Sequence, residues 1–262
     1  MADHMFTLIT GASSGIGTCF ARSFAARRRN LVLVARSKDR LESLATELRA
    51  AHGIEAVSIP CDLSATGAAA QLAEFLDGRR IDVEVLVNNA GFGARGAFGN
   101  LPLDRQSQMI RLNVEALMEL THLLVRPMIT RRQGAIINVS STAGFQPVPW
   151  TTVYAATKAF VTSFSLALAE EVREHGIAVV TLCPGGTRTN FLQANHYGQR
   201  TLPGGLQAPE EVVELALKAL DAGGGLVVPR LLNKMTVWLQ RFVPRSLVTK
   251  ATSRLFRPAP PG

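Results

Sequence analysis

The chain has 262 residues, of which 47% are hydrophobic, enough for the core of one large α/β domain or two small ones. Its formal net charge of +8 comes mostly from the stretch after Ala222, which holds seven basic and no acidic residues, whereas the remainder holds 21 basic against 20 acidic residues. No recognised motif or aromatic platform for nucleic acid accompanies the basic stretch, and the three cysteines fit neither a disulfide framework nor a zinc site.

The predicted elements start close to the N-terminus with no basic leader or cleavage site before them, so a cytoplasmic protein is expected. No continuous apolar run reaches the roughly 18 to 20 residues of a membrane span. Short apolar runs predict strands over 6–10, Leu31–Arg36, Ala56–Pro60, Val85–Asn88, Ala135–Ser140, Ile177–Cys183 and Leu226–Val228. Amphipathic segments predict helices over 15–28, 38–51, 66–77, 103–131, 152–174 and 209–221.

This alternation predicts an α/β fold: a doubly wound, Rossmann-type parallel sheet with helices on both faces, because strands buried on both faces are apolar throughout. A single domain is expected over residues 1–229, followed by a basic amphipathic helical extension over 230–262. Residues 184–208 are rich in Gly, Asn and Thr and too long for an ordinary connection. We expect this segment to form a lid over the substrate.

A glycine-rich turn, Thr-Gly-Ala-Ser-Ser-Gly-Ile-Gly over residues 10–17, follows the first predicted strand and opens the first predicted helix. Backbone amides at a helix N-terminus attract phosphate, and glycines let the backbone approach it closely. The turn therefore predicts a dinucleotide site, although its GxxxGxG spacing departs from the common GxGxxG fingerprint. The alternative is a glycine-rich turn that binds no ligand.

The second predicted strand ends in Ala35 and Arg36, with Lys38 and Arg40 nearby. An acidic residue at this place would accept hydrogen bonds from the adenosine ribose of NAD, whereas an arginine suits the 2′-phosphate of NADP. The sequence therefore predicts NADP as the cofactor. The alternative is that Arg36 is only a solvated charge at the end of a strand.

Tyr154 and Lys158 are four residues apart on a predicted helix and so share one face. A neighbouring ammonium favours the phenolate, which would lower the tyrosine pKa from its usual value of about 10. Tyr154 is therefore a candidate proton donor or acceptor near neutral pH. Ser141 precedes the tyrosine at the end of a predicted strand, where the alternative role is to cap the next turn.

Together these motifs resemble the short-chain dehydrogenase/reductase family, in its compact single-domain branch, over nearly all of residues 5–228. The resemblance also covers Asp62 after the third strand, Asn-Asn-Ala-Gly over 88–91, the helix residue Asn113, Pro184-Gly185 and Thr189. It implies cofactor binding by Gly11, Ser13, Ser14, Gly15, Ile16, Gly17, Arg36, Asp62, Asn89, Ala90, Tyr154, Lys158 and Thr189.

The resemblance implies an NADP-dependent oxidoreductase that transfers a hydride between nicotinamide and a carbonyl or secondary alcohol. Tyr154 would donate a proton to the developing alkoxide, Ser141 would steady that oxygen, and Lys158 would hold the nicotinamide ribose. Asn113 would position a water that connects Lys158 to solvent, or serve only as a helix-kink residue. A homodimer or homotetramer is also implied. No histidine has metal-ligand spacing, so no metal is expected.

Apolar residues near the site, Trp150, Phe191 and Leu192, suggest a hydrophobic substrate such as a lipid-like ketone, a steroid or a 3-oxoacyl group. One rival hypothesis is a regulator that binds NADP without turnover, which the intact set of acid–base residues argues against. Another is an epimerase or dehydratase acting on nucleotide sugars, which would carry a larger C-terminal substrate domain. His196 and Tyr197, in the predicted lid, are expected to be solvated.

The C-terminal extension places Leu231, Leu232, Met235, Trp238, Leu239 and Phe242 at helical spacing, and Pro244 interrupts the pattern. One hypothesis is that this apolar stripe packs on the body of the protein or on a partner subunit. The other is that the segment lies on anionic lipid as an interfacial helix, a peripheral membrane contact with its arginines toward the headgroups.

Overall fold

The computed structural model describes residues 5–191 and 205–258. Its centre is a parallel sheet with the strand order β3-β2-β1-β4-β5-β6-β7. The strands are β1 (Met5–Thr10), β2 (Asn30–Ala35), β3 (Ala56–Pro60), β4 (Asp82–Asn88), β5 (Gly134–Val139), β6 (Ile177–Leu182) and β7 (Gly224–Val227). Each falls within a few residues of its prediction.

Helices cover both faces of this sheet. They are α1 (Gly15–Ala26), α2 (Lys38–His52), α3 (Ala68–Gly78), α4 (Leu103–Ile110), α5 (Ala116–Arg131), α6 (Thr152–Glu171), α7 (Pro209–Asp221), α8 (Leu231–Leu239) and α9 (Arg245–Phe256). Helices α1, α2 and α7 bury their apolar stripes against one face, and α3, α5 and α6 against the other. The predicted doubly wound α/β fold is confirmed.

The strands are apolar throughout because their side chains alternate between two buried layers. On β1, Ile9 points into the layer shared with α1 and α2, whereas its neighbour Leu8 points into the layer shared with α3 and α5. Both side chains are fully buried. Removing such a side chain from water stabilises the fold by about 1.5–3 kcal/mol.

The predicted continuous helix over 103–131 is wrong in its middle. Helix α4 ends at Ile110, one wider π turn covers Arg111–Glu115, and α5 begins at Ala116. In this turn the Asn113 side chain lies against the backbone of Phe92. It accepts a hydrogen bond from the amide of Phe92 and donates one to its carbonyl oxygen. Such π turns inside α-helices occur frequently at functional sites.

Helix α6 is, by length and composition alone, apolar enough to cross a membrane, which the search for continuous apolar runs did not indicate. One of its faces packs against the sheet and buries Tyr154, Lys158 and Ser165. A core helix of this kind passes the same test.

The C-terminal extension folds into two helices separated at Val243 and Pro244, where the sequence predicted an interruption. Helix α9 returns to the body: the indole Nε1 of Trp150 donates to the carbonyl of Ser253 at 3.0 Å, and the guanidinium Nε of Arg95 donates to the carbonyl of Phe256 at 3.0 Å. The outer apolar residues of α8 are exposed.

Candidate active site

A cleft of about 720 Å³ opens at the carboxyl ends of the central strands. It lies where the strand order reverses between β1 and β4, which is where open α/β sheets bind their ligands. It is lined by the turn after β1, the end of β2, the turns after β4 and β5, and the first turns of α6. Of the predicted site residues, all except Gly17 and Asn113 line this cleft.

The glycine turn after β1 is curled so tightly that side chains would not fit in it. A Cβ atom on Gly17 would lie 2.2 Å from the carbonyl oxygen of Gly11. Gly11 and Gly15 have φ angles of +65° and +56°, in the left-handed region that favours glycine. The side chain of Ser14 makes no capping bond at the start of α1. The turn therefore suits a phosphate group held by backbone amides.

Thr10 and Asn89 fix this turn to the end of β4. The hydroxyl of Thr10 accepts hydrogen bonds from the amides of Asn89 and Ala90, each at 3.0 Å. The Asn89 side chain donates to the carbonyls of Thr10 at 2.9 Å and Gly11 at 3.2 Å. Thr10 belongs to the glycine motif, but no sequence pattern predicted this anchoring role.

At the far end of the cleft, Arg36 follows β2 and Asp62 follows β3. The hydroxyl of Ser64 donates to the Asp62 carboxylate at 2.7 Å and its amide at 3.0 Å. These bonds, with a smaller contribution from the charge of Arg36, lower the pKa of Asp62. The cleft thus presents an oriented carboxylate and an exposed guanidinium side by side.

Tyr154 and Lys158 project from α6 into the cleft, and both are buried. Burial raises the pKa of Tyr154 to about 12, a change that a hydrogen bond with Ser141 partly offsets. Burial lowers the pKa of Lys158 to about 8. The expectation that the lysine makes Tyr154 more acidic is therefore not met in the protein alone, since desolvation of the phenolate dominates and only the contact with Ser141 opposes it.

The position of the ammonium helps to explain that result. The Nζ atom of Lys158 donates to the carbonyl oxygen of Val139 at 2.8 Å and lies 5.9 Å from the centre of the Tyr154 ring. As predicted, the two side chains share one face of α6. Among the hydrogen bonds of the described residues, none joins the Lys158 ammonium to the Tyr154 phenol oxygen. At neutral pH the phenol is protonated and can donate a proton.

Ser141 has both roles that its position suggests. Its Oγ atom accepts a bond from the amide of Ala143 at 3.1 Å and so caps the turn Thr142–Phe145. The hydroxyl points to the carbonyl oxygen of Pro184 at 3.5 Å and lies close enough to Tyr154 to oppose the rise in the pKa of that phenol. The preceding Ser140 turns away, and its Oγ donates to the carbonyl of Lys158 at 2.8 Å. Ser140 fixes helix α6, and Ser141 is the serine beside the phenol.

Asn113 is fully buried in the π turn and acts as a clamp. Its Oδ1 accepts from the amide of Phe92 at 3.2 Å, and its Nδ2 donates to the carbonyl of Phe92 at 3.0 Å and to the hydroxyl of Thr157 at 3.1 Å. A Cβ atom on Gly91 would lie 2.9 Å from Asn113 Oδ1 and 3.6 Å from Lys158 Nζ. Asn113 is thus both a kink residue and a neighbour of Lys158.

Several residues that shape the site were not predicted. Asn88 donates to Thr121 and Asn138, each at 2.9 Å, and Asn138 donates to Ser165 at 2.9 Å, so a buried polar chain joins β4 and β5 to α5 and α6. Asn88 belongs to the Asn-Asn-Ala-Gly motif, whereas Thr121, Asn138 and Ser165 stand out in the sequence only as polar residues at apolar strand and helix positions. Phe256 of the C-terminal extension also lines the cleft, and no sequence pattern indicated it.

The described ends of the predicted lid are pinned together near the cleft. Thr187 pairs with Gln207 in a short parallel bridge, and the amide of Arg188 donates to the carbonyl of Gln207 at 2.8 Å. Phe191 lies with its ring centre 5.5 Å from that of Tyr154. Residues 192–204, with Leu192, His196 and Tyr197, lie outside the described residues.

The described parts of the chain contain no group of three or more His, Cys, Asp or Glu side chains suited to a metal.

Comparisons with known proteins agree with this geometry. A family model for short chain dehydrogenases matches residues 6–199. The ketoacyl reductase HetN of Nostoc sp. is 32% identical over 213 residues, covering 81% of this chain and 74% of that protein. The human very-long-chain 3-oxoacyl-CoA reductase is 34% identical over 219 residues, covering 82% of this chain and 68% of that protein.

Among solved structures, a short-chain dehydrogenase from Sphingobium yanoikuyae in complex with NADPH matches with a TM-score of 0.82 and 32% identity, over 98% of each chain. The strand order, the curled glycine turn and the tyrosine–lysine face of α6 all lie within the matched region. The protein belongs to the short-chain dehydrogenase/reductase family of oxidoreductases.

Proposed function

We propose that this protein is an NADP-dependent oxidoreductase that transfers a hydride between nicotinamide and a carbonyl or secondary alcohol of a hydrophobic substrate. The observation that carries the proposal is the meeting of Ser141, Tyr154 and Lys158 in the cleft that begins at the glycine turn. A protein that only sensed the dinucleotide would have no use for a buried acid–base group at this place. Turnover therefore separates the two hypotheses.

The chain's residues fit a bound dinucleotide phosphate. The curled turn of Gly11, Gly15 and Gly17 would take the phosphates on its backbone amides, because the tight packing leaves that surface free of side chains. Arg36 would take the 2′-phosphate and Asp62 would face the adenine. A bound reduced nicotinamide would supply the hydride.

Tyr154 acts as the proton donor in carbonyl reduction. With its pKa raised to about 12 by burial, the phenol keeps its proton at neutral pH and can give it to a substrate oxygen that becomes negative. Ser141, already bonded to the phenol, donates to the same oxygen and stabilises its charge. Alcohol oxidation would run through the same residues in reverse, starting from the phenolate.

Lys158 and Asn113 support the tyrosine. The Lys158 ammonium uses one donor on the carbonyl of Val139 and has two more for ribose hydroxyls. Its pKa, lowered to about 8, keeps it charged at neutral pH while making it ready to release a proton toward Tyr154. Asn113, beside Gly91 and Lys158, would hold a water between the ammonium and solvent.

The substrate side of the cleft carries several apolar side chains. Phe92, Val148, Phe191 and Phe256 line the cleft beside polar ones such as Arg105 and Gln108, and Phe92 and Phe191 pack in the cluster of Tyr154. The names of two relatives, a ketoacyl reductase and a 3-oxoacyl-CoA reductase, support a 3-oxoacyl substrate over a small polar ketone. A lipid-like ketone or a steroid also fits an apolar wall.

The test is NADPH consumption with a panel of 3-oxoacyl thioesters of increasing chain length, steroid ketones and small polar ketones. We expect turnover with the apolar members and a loss of about 10²–10⁴-fold in kcat for Tyr154→Phe, with NADPH still bound in a fluorescence titration. NADPH binding without turnover of any carbonyl, in the unmodified protein, would establish the regulator instead.

A further inference from the structure

Helix α8 carries an outer apolar stripe that the described chain leaves in solvent. The stripe consists of Leu231, Leu232, Met235, Trp238, Leu239 and Phe242. Leu231 is 73% exposed, Phe242 71% and Trp238 58%. Its members recur three, four, seven and eight residues apart, so they share one side of a helix.

The opposite side of α8 already holds the helix on the protein. Val237 is buried there in a small cluster with Cys183 and Val228. The helix is therefore apolar on both sides, and the inner side alone attaches it to the body. Because surface helices of globular proteins normally expose a polar outer side, the outer stripe marks a contact with something outside the described residues.

The charge around the stripe selects the kind of partner. Exposed basic residues flank it along the chain, and the sequence contains no acidic residue after Asp221. The exposed ones are Arg230, Lys234, Arg241, Arg245, Lys250, Arg254 and Arg257. A second copy of the chain would bring the same set of positive charges against this one, which is unfavourable. An anionic lipid surface supplies both an apolar phase and the opposite charge.

Both ends of the segment lie at the rim of the cleft. At the start of α8, the Asn233 side chain packs so closely on Gly185, a cleft residue, that a Cβ there would lie 2.6 Å from its Nδ2. At the end of α9, Phe256 lines the cleft, and Arg95 holds its carbonyl. A surface that binds residues 231–256 is therefore adjacent to the cleft.

We propose that residues 231–256 dock this protein on the surface of an anionic lipid bilayer, with the outer stripe of α8 inserted among the lipids and the basic residues on the headgroups. The docking depends on neither the cofactor nor catalysis. Its strength is expected to fall with added salt, because exposed charges are screened over roughly 8–10 Å at physiological ionic strength.

The test is co-sedimentation of the full chain with vesicles of phosphatidylcholine alone and of phosphatidylcholine with phosphatidylserine. We expect at least tenfold tighter binding to the anionic vesicles. The double variant Trp238→Ser/Phe242→Ser and the charge variant Lys234→Gln/Arg241→Gln/Arg245→Gln should each lose at least tenfold. Because the replaced side chains are exposed, the melting temperatures of both variants should stay within a few degrees of that of the unmodified protein.

A matched control removes exposed apolar side chains elsewhere. Phe98 is 62% exposed and Leu103 77% exposed, both on the body, so Phe98→Ser/Leu103→Ser should bind vesicles as the unmodified protein does. The competing occupant of the stripe is a second copy of this chain. Sedimentation velocity tests it, because it shows whether the protein and each variant are monomers or dimers. The proposal is overturned if neither vesicle binds, if all variants bind alike, or if Trp238→Ser/Phe242→Ser converts a dimer to monomers without affecting vesicle binding.

Discussion

The body of the protein, residues 5–228, and its C-terminal segment, residues 231–256, use apolar side chains in opposite ways. In the body, helices cover both faces of the sheet, so neighbouring strand residues such as Leu8 and Ile9 are both buried. In the segment, α8 has one covered side, and its other side remains in solvent. An amphipathic pattern thus predicts a helix equally well in both regions, but only a second layer determines whether its apolar side is buried.

The two regions also differ in how they hold charge. The body has nearly balanced charges and buries a lysine and a tyrosine in its cleft at a cost in stability. The segment after Ala222 has only basic residues, which the water screens. The body therefore has a buried charged residue, Lys158, in its cleft, whereas the basic residues of the segment lie at the surface.

The largest expected effect tests the packing half of this comparison. Phe20 on α1 is fully buried, so Phe20→Ala should lower the free energy of unfolding by about 3–5 kcal/mol. The same change at Phe242, whose ring contacts only Trp238 at a centroid distance of 4.9 Å among the described ring pairs, should cost less than about 1 kcal/mol. Urea unfolding measures both. Equal losses would mean that the outer stripe is covered in the folded protein.

The next effect tests the buried charge. Below pH about 8, Lys158 is charged in the folded and the unfolded chain, and the cost of its burial is fully present. Between about 8 and 10.5 it is neutral only when folded, so its own contribution to the free energy of unfolding rises with pH across that window, by about 3 kcal/mol in all. The buried thiols of Cys19 and Cys183, whose raised pKa values lower stability above pH about 9, act alike in the unmodified protein and in the variant. In Lys158→Met this rise should be missing, as measured by urea unfolding along a pH series.

A variant that keeps the lysine is the control for that experiment. Ser165→Ala removes a hydroxyl of the same helix, which donates to the carbonyl of Val161 at 2.6 Å, but leaves the ammonium in place. It should keep the pH dependence of the unmodified protein. If Lys158→Met and the unmodified protein differ by a constant amount across the window, the pKa of this lysine is not lowered by burial.

Much of this molecule was predictable because the causes are local. Most strand residues are apolar, and the dinucleotide turn, Ser141 and the pair Tyr154 and Lys158 carry their chemistry in short motifs. The π turn was not predictable from a periodic pattern, because it accompanies hydrogen bonds between Asn113 and Phe92, which lies 21 residues away. Long-range contacts of this kind leave no periodic signal.

The acidity of Tyr154 escaped prediction for a related reason. Sequence spacing places Lys158 on the same helix face, but it cannot tell how deeply the pair is buried or that the carbonyl of Val139 takes the ammonium. The contribution of Phe256 to the cleft depends on the path of the whole C-terminal segment. Site motifs were therefore predictable, and their electrostatic environment was not.

A third prediction concerns the glycine turn, where backbone packs on backbone. In Gly17→Ala the new Cβ would meet the carbonyl oxygen of Gly11 at 2.2 Å, so the turn must move. NADPH binding should weaken by about 2 kcal/mol, or roughly thirtyfold, in a fluorescence titration. Gly99→Ala is the matched control, because its Cβ would have no atom within 4 Å. Unchanged binding in Gly17→Ala would show that the turn does not hold the phosphates.

The smallest expected effect is on cofactor preference. It compares one exposed basic residue of the body, Arg36, with the exposed basic residues of the C-terminal segment. Arg36 lines the cleft beside Asp62, whereas its neighbour Lys38 is exposed but does not line it. Arg36→Ala should narrow the preference for NADPH over NADH by about tenfold, or about 1.4 kcal/mol, while Lys38→Ala and Arg241→Ala leave the ratio unchanged. Titration of both dinucleotides at low and high salt measures it. Because the contact is exposed, salt should reduce the preference of the unmodified protein as well. Equal affinities for NADPH and NADH in that protein would mean that Arg36 is a solvated charge, no different from those of the segment.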